Sequence, residues 1–342
     1  MSFMVSDEFL LLLDPQPCWF SPPPYYLTLG DKELLREAGI QTAFLSGLDW
    51  LSVEPERGEY DFSQLEKTLE MNRAAGIKTL IEVPWRAPLW MPDEWLLQNI
   101  GGRVNTTGDH ITQARYLSFW NEEAQEYCDN YLRMVVGSYQ APDVLFSYGE
   151  ASSGEAVLPV EPFYYDPAAI ADYKDRYGND AFPDINTPET KEWLKISAIR
   201  RLIRVHKIIN TQGEIWNRLQ LLMSDWSEST VNWAQKDIMR AYQDAFPEVR
   251  LVVEQDTFYD DSHTDKHRDW VDSIKEEFQC DIIVEAMWPS GLPTTTPKAI
   301  ASGYRGQIVG VSHSHIPDER DLSSTILSNI KESHKLWLES LQ

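Results

Sequence analysis

The sequence predicts an α/β protein, and within that class a single-domain (β/α)8 TIM barrel with long βα loops. Short apolar segments of strand length recur eight times and alternate with helical segments. These segments are continuously apolar, which is typical of parallel strands covered on both faces. The links after the strands are much longer than the links before them. Eight strand–helix units of this kind close most economically into a barrel.

The elements follow one another in the order that a barrel requires. The predicted strands are Phe9–Leu13, Thr42–Leu45, Thr79–Val83, Val144–Phe146, Leu219–Met223, Arg250–Val253, Asp281–Val284 and Gln307–Val311. The clearest predicted helices are Phe62–Ala75, Glu122–Val136, Pro188–Ile209, Val231–Ala245, His267–Phe278 and Leu322–Leu338, with shorter ones near Asp31–Ala38 and Pro297–Ser302.

Two segments repeat the same local pattern. REAGIQTAFL (residues 36–45) and RAAGIKTLIE (residues 73–82) each end a helix at a glycine and enter a strand three residues later. Glycine at this position favours a left-handed helix C-cap. A repeated unit of this length favours a stack of βα modules.

The two ends of the predicted strands differ in their links. Gly39–Gln41, Gly76–Lys78 and Phe246–Glu248 are minimal connections into strands, whereas Pro84–Asn121 and Tyr148–Thr187 are long connections out of them. Barrels place their chemistry in the loops that follow the strands. We therefore expect one catalytic domain over residues 1–342. A doubly wound open sheet is the alternative, although no Gly-x-Gly-x-x-Gly turn follows the first strand.

Composition limits the partners. The net charge of −24 repels phosphate backbones and anionic membranes, so we expect neither nucleic acid nor membrane as a partner. No apolar run of about 18 residues and no signal-peptide pattern occurs. Cys18, Cys128 and Cys280 lack zinc or disulfide spacing. We expect a cytoplasmic protein that needs no cofactor or metal.

Polar and aromatic residues recur where strands end. Singly, a carboxylate there is usually a helix cap or ion-pair partner, and a Trp is usually core. Together they favour a carbohydrate site, because aromatic faces pack on sugar rings while carboxylates bind the hydroxyls. The candidate substrate-binding residues are Trp50, Glu82, Trp85, Arg86, Asp225, Trp226, Glu254, Trp288 and His313.

The segment DIIVEAMWPSG (residues 281–291) runs from an apolar strand directly into Glu285. Glycosidic bond cleavage requires two carboxyl groups, one that protonates the leaving oxygen and one that attacks or activates water. Glu150 and Glu155 follow the fourth strand, across the mouth from the seventh. A rigid strand end is a suitable base for a catalytic carboxylate. The catalytic candidates are therefore Glu285 with Glu150 or Glu155.

The segment GLDWLSVEPERGEYDFSQLEKTLEMNRAAGIKTLIEVPWRAPLWM (residues 47–91) resembles the second and third βα units of clan A glycoside hydrolases, particularly the family 42 β-galactosidases. The shared features are a Trp, a Glu-Pro-x-x-Gly-x-Tyr-x-Phe stretch, a helix, a Gly turn, and a strand that leads to Pro-x-Trp.

The resemblance implies a retaining β-glycosidase, with its acid/base after strand 4 and its nucleophile, at Glu285, after strand 7. The clan usually has Asn-Glu after strand 4, where this chain has Gly149-Glu150, so the Asn that holds the sugar 2-hydroxyl is missing. SGEAVLP (residues 153–159) also resembles the Gly-Glu…Pro loop of the inverting β-amylases, which implies Glu155 as the acid. Both assignments, and both stereochemical outcomes, stay open.

Two other functions compete. A metal-dependent barrel hydrolase would use the histidines of HSH (residues 313–315) or DDSHTDKH (residues 260–267). A non-catalytic sugar-binding barrel would explain the departure at Gly149. Bound metal and turnover of nitrophenyl glycosides distinguish these functions from a two-glutamate glycosidase.

Overall fold

The structure of the protein is a computed structural model that describes residues 10–14, 27–45, 50–83, 87–104, 115–148, 164–184, 186–209, 214–217, 232–255, 265–286, 289–310 and 324–342. The described strands are β1 (Leu10–Asp14), β2 (Thr42–Leu45), β3 (Lys78–Val83), β4 (Val144–Tyr148), β5 (Glu214–Asn217), β6 (Arg250–Gln255), β7 (Asp281–Ala286) and β8 (Gly306–Gly310). The described helices are α1 (Leu29–Ala38), α2 (Trp50–Val53), α3 (Ser63–Ala74), α4 (Glu122–Tyr139), α5 (Pro167–Tyr177), α6 (Pro188–Ile209), α7 (Asn232–Ala245), α8 (Asp265–Phe278), α9 (Leu292–Ala301) and α10 (Ser324–Ser340).

The strands pair in parallel and in sequence order from β1 to β8. The last strand also pairs with the first, from Leu10 with Gly306 to Asp14 with Gly310, so the sheet closes on itself. This order differs from that of a doubly wound sheet, in which the strand order reverses at a switch point. The predicted α/β class is confirmed, and the eight strands follow one another as the sequence predicts.

Side chains from five strands fill the interior of the sheet. Leu80, Leu145, Val252, Ile283 and Ile308 form one buried cluster. The residues that alternate with them belong to a second, larger cluster between the sheet and the helices, for example Ile81, Phe146, Val253, Val284 and Val309. Because both faces of these five strands are buried, they read as continuous apolar runs in the sequence.

The two glycines of the repeated pattern have left-handed backbone conformations, as predicted. Gly39 has φ 116° and Gly76 has φ 71°, a region that glycine enters without the steric cost of a Cβ atom. At Gly39 a Cβ would also collide with the ring of His334 on α10. This glycine is therefore required twice, by its dihedral angle and by the close packing of α10.

Two predicted features differ from the structure. Strand β5 lies at Glu214–Asn217, ahead of the predicted segment Leu219–Met223, which falls outside the described residues. Pairing decides its position: Trp216 lies in register with Ser147 of β4 and with Val252 of β6. The residues after β5 are more continuously apolar than β5 itself, so a prediction from apolar content alone places the strand too late in the chain.

The second difference is helix α5, which lies in the span that was predicted as the loop Tyr148–Thr187. Its start and end carry ordinary sequence signals. Asp166 is the N-cap and accepts a hydrogen bond from the Ala169 amide, Pro167 is the first helical residue, and Gly178 follows the last turn. The long loops after β3 and β4 and the short links before β2, β3 and β6 are as predicted.

Within the described ranges, no helix is both long enough and apolar enough to cross a membrane.

Candidate active site

The C-terminal ends of the strands form one edge of the closed sheet, and several candidate residues lie there. Glu285 is the penultimate residue of β7, which runs two residues beyond the predicted strand, and its backbone is in register with Ile308 of β8. Glu254 of β6 is in register with Ile283, and Glu82 of β3 with Ser147 of β4. Each of the three glutamates follows a residue of the interior cluster by two positions along its strand, so each continues the alternation of that residue toward the C-terminal end.

Ser147 of β4 continues the same alternation, and its side chain is among those that the structure describes. It is fully buried, and its hydroxyl oxygen has no hydrogen-bond partner among the described residues. It follows Leu145 of the interior cluster by two residues, so it belongs to the face of β4 that lines the interior. A buried hydroxyl without a partner is costly unless water or another polar group satisfies it.

The described residues include only part of the predicted site. Glu82, Glu254 and Glu285 are described by their backbone alone. Those outside the described residues are Trp85, Arg86, Glu150, Glu155, Asp225, Trp226, Trp288 and His313.

Trp50 was predicted to bind substrate, and this prediction is wrong. Its side chain is only 1% exposed. Its ring stacks on Tyr131 with centroids 4.4 Å apart, and its indole N–H donates to Glu54 at 2.7 Å. A ring enclosed in this way offers no face to a sugar, so Trp50 is a core residue that anchors the loop between β2 and α3.

Glu54, which the sequence analysis did not single out, organises this loop. It is fully buried, and its carboxylate accepts hydrogen bonds from the Trp50 indole at 2.7 Å, from the Gly58 amide at 2.7 Å and from the Tyr127 hydroxyl. Burial, followed by this bond to Glu54, raises the pKa of Tyr127 well above its usual value. The Glu54 carbonyl also accepts a bond from the Trp90 indole at 3.0 Å. Glu54 therefore ties the β2 loop to α4 and to the long β3 loop.

Arg57 adds a second link between the same segments. Its guanidinium carbon lies 5.6 Å from the ring centroid of Trp90, 5.5 Å from that of Trp95 and 5.3 Å from that of Tyr127. Contacts at such distances are cation–π interactions. The Glu-Pro-x-x-Gly stretch thus fixes the shape of two loops that follow strands.

The long loops after β3 and β4 are joined by a second aromatic cluster. Trp120 stacks on the buried Trp193 of α6 with centroids 4.5 Å apart and donates to Ser197 at 3.0 Å. The Trp193 indole donates to Asp172 of α5 at 2.6 Å. Several of the 13 tryptophans are therefore core residues that pack within the loops and helices following the strands. This is the usual role of a single Trp near a strand end.

Asp166 connects the same two loops through a buried carboxyl group. Its Oδ1 accepts bonds from the Ser118 hydroxyl at 2.8 Å and from the Ala169 amide at 3.1 Å. Its Oδ2 is buried without a partner among the described residues. Burial raises the pKa of Asp166 to about 6, although the bonds from Ala169 and Ser118 oppose the shift. The charged form of this group is thus disfavoured in the folded protein.

This pKa predicts how stability depends on pH. The folded pKa of Asp166 lies above its unfolded value, so the folded state binds more protons between the two values and stability falls as pH rises through them. From about pH 5 to about pH 7.5 the loss amounts to about 1.3 kcal/mol. Asp166→Asn removes this titration. Over this pH range the free energy of unfolding, measured with urea, should therefore fall less in the variant than in the parent. The difference between the two should equal the loss given above.

A control lies on the same helix. Asp175 of α5 is exposed, so Asp175→Asn should leave the pH dependence of the parent unchanged. Equal slopes for the parent and Asp166→Asn would show that the carboxyl group titrates normally in the folded state.

No group of His, Cys, Asp and Glu side chains that could hold a metal ion occurs among the described residues. The histidines at 313 and 315, and residues 260–264 of the second candidate cluster, lie outside them.

A closed parallel sheet with acidic residues near the C-terminal ends of its strands, under long tethered loops, is the arrangement of barrel glycoside hydrolases. The glycoside hydrolase family 42 model, described as beta-galactosidase, matches residues 27–148, about a third of the chain. Among curated proteins, beta-galactosidase BgaH of Haloferax lucentense is 34% identical over 65 residues, which are 19% of this chain and 10% of that protein.

Solved structures match over nearly the whole chain. The catalytic domain of a β-amylase from Paenibacillus polymyxa aligns with TM-score 0.63 and 16% identity over 96% of this chain and 98% of that one. A β-galactosidase from Bacillus circulans sp. alkalophilus aligns with TM-score 0.65 and 11% identity over 96% of this chain and 56% of that one. At these identities the matches concern the fold. The resemblance to family 42 β-galactosidases and to β-amylases is confirmed.

Proposed function

We propose that the protein is a glycoside hydrolase that cleaves an O-glycosidic bond with two glutamates. The chain forms a single (β/α)8 TIM-barrel catalytic domain over residues 1–342, and its substrate is an oligosaccharide or other glycoside. The observation that carries this proposal is the position of Glu285, two residues beyond Ile283 of the interior cluster, at the end of β7. Strand β4 ends at the same edge and leads to Glu150.

The reaction we propose is that of a retaining β-glycosidase of β-galactosidase type. Glu285 attacks the anomeric carbon while Glu150, as general acid, protonates the departing oxygen. Glu150 then removes a proton from water, which attacks the anomeric carbon and releases Glu285. The family 42 match over residues 27–148 supports a reaction of this type, because the relatives are named beta-galactosidases.

A second candidate is an inverting hydrolase with Glu155 as the acid. The SGEAVLP stretch that contains Glu155 favours it. In that case the second carboxylate activates water instead of attacking the sugar, and the two carboxyl groups are separated by about 6.5–9.5 Å rather than about 5–5.5 Å.

The remaining candidate residues bind the sugar. Flat rings after β3, β5 and β7 stack on its C–H faces, and charged or polar groups bind its hydroxyls. The residues assigned to this role are Glu82, Trp85, Arg86, Asp225, Trp226, Glu254, Trp288 and His313. We further propose that the protein acts in a reducing, cytoplasmic compartment, which its buried thiols at Cys128 and Cys280 suit.

A screen of nitrophenyl glycosides, followed by proton NMR of the first-formed sugar, tests this proposal. We expect release of nitrophenol from a β-glycoside, with the β-anomer appearing first because two displacements at one carbon restore its configuration. First appearance of the α-anomer would favour the inverting reaction. Saturable sugar binding without turnover of any glycoside would identify a sugar-binding protein, and activity lost to a chelator and restored by metal would identify a metal-dependent hydrolase.

A further inference from the structure

A groove of about 780 Å³ lies between α4 and α6, on the outer layer of helices. Its lining runs from Asp129, near the middle of α4, to Gly137, and from Arg200 to Ile208 in the C-terminal half of α6. Helices of a (β/α)8 fold run antiparallel to the strands, so these segments lie toward the end of the sheet opposite the proposed active site. The groove is therefore separate from the carbohydrate site.

The charge of this groove is opposite to that of the protein as a whole. Its lining holds four cations, Arg133, Arg200, Arg204 and Lys207, and one carboxylate, Asp129. The chain overall has 54 acidic and 30 basic residues. Three of the cations belong to RRLIRVHK (residues 200–207), a stretch without any acidic residue.

Internal ion pairs account for only part of this charge. Asp129 accepts a bond from Arg204 at 2.8 Å and lies 3.7 Å from Arg133, and Arg204 also bonds Glu122 at 2.7 Å. Neither Arg200 nor Lys207 forms an ion pair within the described part of the chain, and both are exposed. The groove thus keeps two cations that have no ion-pair partner among the described residues, beside an arginine that Asp129 and Glu122 hold in place.

The helix dipole explains little of this cluster. The dipole favours cations within the last turn of a helix, which accounts for Lys207 on a helix that ends at Ile209. Arg133 and Arg200 lie more than a turn from the ends of α4 and α6. Apolar groups between the charges, from Val136, Ile203 and Ile208, give the groove a mixed lining that suits an organic molecule.

We propose that this groove binds a small organic anion that carries two or more phosphate-like groups. Arginine binds such oxyanions through paired N–H donors, and a lysine adds a point charge. At physiological salt, charges are screened beyond about 8 Å. A small anion in the groove therefore interacts mainly with these four cations, whereas a long polyanion also meets the repulsion of the surrounding acidic surface.

Inorganic pyrophosphate is the probe for this site. We expect saturable binding by calorimetry in about 0.1 M NaCl, at a Kd below about 1 mM, together with a rise in melting temperature because the ligand binds only the folded state. In the double variant Arg200→Gln/Lys207→Gln, binding should weaken at least about tenfold, since both unpaired cations are lost. Both side chains are exposed, so the variant should fold as the parent does.

The control variant is Lys67→Gln/Lys331→Gln, which removes the same charge from exposed positions on α3 and α10. It should bind pyrophosphate as the parent does. Equal weakening of binding in both double variants would mean that pyrophosphate responds to the net charge of the protein and not to the groove, and would contradict the proposal. If the parent protein does not bind pyrophosphate at about 10 mM, the proposal is also wrong. Nitrophenyl glycoside turnover should be the same in both variants, which keeps this test independent of the proposed hydrolase.

Discussion

Glu285→Gln is expected to lower kcat at least about a thousandfold on any glycoside that the parent hydrolyses. The amide is nearly isosteric with the carboxylate, but it can neither form the glycosyl–enzyme bond nor activate water. Substrate binding should change little, because the substitution removes an interaction that is strongest in the transition state. Steady-state kinetics give kcat, and calorimetry with the product sugar reports whether the binding site is intact.

Azide separates the nucleophile from the acid/base. In Glu285→Ala, azide occupies the space left by the carboxylate and displaces the nitrophenolate once, so the glycosyl azide has the inverted configuration. In an acid/base variant, Glu285 still forms the covalent intermediate, and azide displaces it with net retention. Applied to Glu150→Ala and Glu155→Ala, this test identifies the partner, because only one variant should yield the retained azide.

The matched control is Glu56→Gln, an exposed glutamate of the β2 loop, which should turn over substrate like the parent. Near-normal activity of Glu285→Gln would refute the assignment of Glu285 as a catalytic carboxylate. A retained azide from neither Glu150→Ala nor Glu155→Ala would refute the double-displacement reaction and favour inversion.

The sequence predicted those parts of the fold that local physical chemistry determines. Continuous apolar runs gave seven of the eight strands near their observed positions, because strands buried on both faces have no polar positions to interrupt the run. Gly39 and Gly76 marked two helix ends, because few other residues adopt their backbone angles. The position of β5 could not be found in this way, since it depends on pairing with β4 and β6 rather than on its own apolar content.

The site was harder to predict for a different reason. Trp50 and the candidate sugar-binding tryptophans look alike in sequence, because each follows a strand, yet the ring of Trp50 is enclosed by Tyr131 and bonded to Glu54. One amino-acid sequence does not show which tryptophan rings are buried by other side chains. One local signal was present: Trp50 and Glu54 are four residues apart, a spacing that brings two side chains together on a helical turn.

Glu54→Ala is expected to lower the free energy of unfolding by about 3–5 kcal/mol. The substitution leaves the Trp50 indole, the Gly58 amide and the Tyr127 hydroxyl without their shared acceptor in a buried space. Each buried donor that loses a partner costs about 1–3 kcal/mol, and local rearrangement recovers part of the sum. Urea unfolding measures the loss.

Two further variants separate the hydrogen bonds from the general effect of removing a glutamate. Glu54→Gln keeps the shape but has one acceptor oxygen where the carboxylate has two, so we expect a loss of about 1–3 kcal/mol. Glu56→Ala, two residues along the same loop and exposed, should change stability by less than about 0.5 kcal/mol. Tyr127, which donates to the Glu54 carboxylate, packs edge-on against Trp90 of the β3 loop. Glu54→Gln should therefore raise KM more than it lowers kcat, because the β3 loop loses part of its support while the catalytic carboxylates keep theirs. If Glu54→Ala were as stable as Glu56→Ala, the cluster around Glu54 would not be what fixes the two loops.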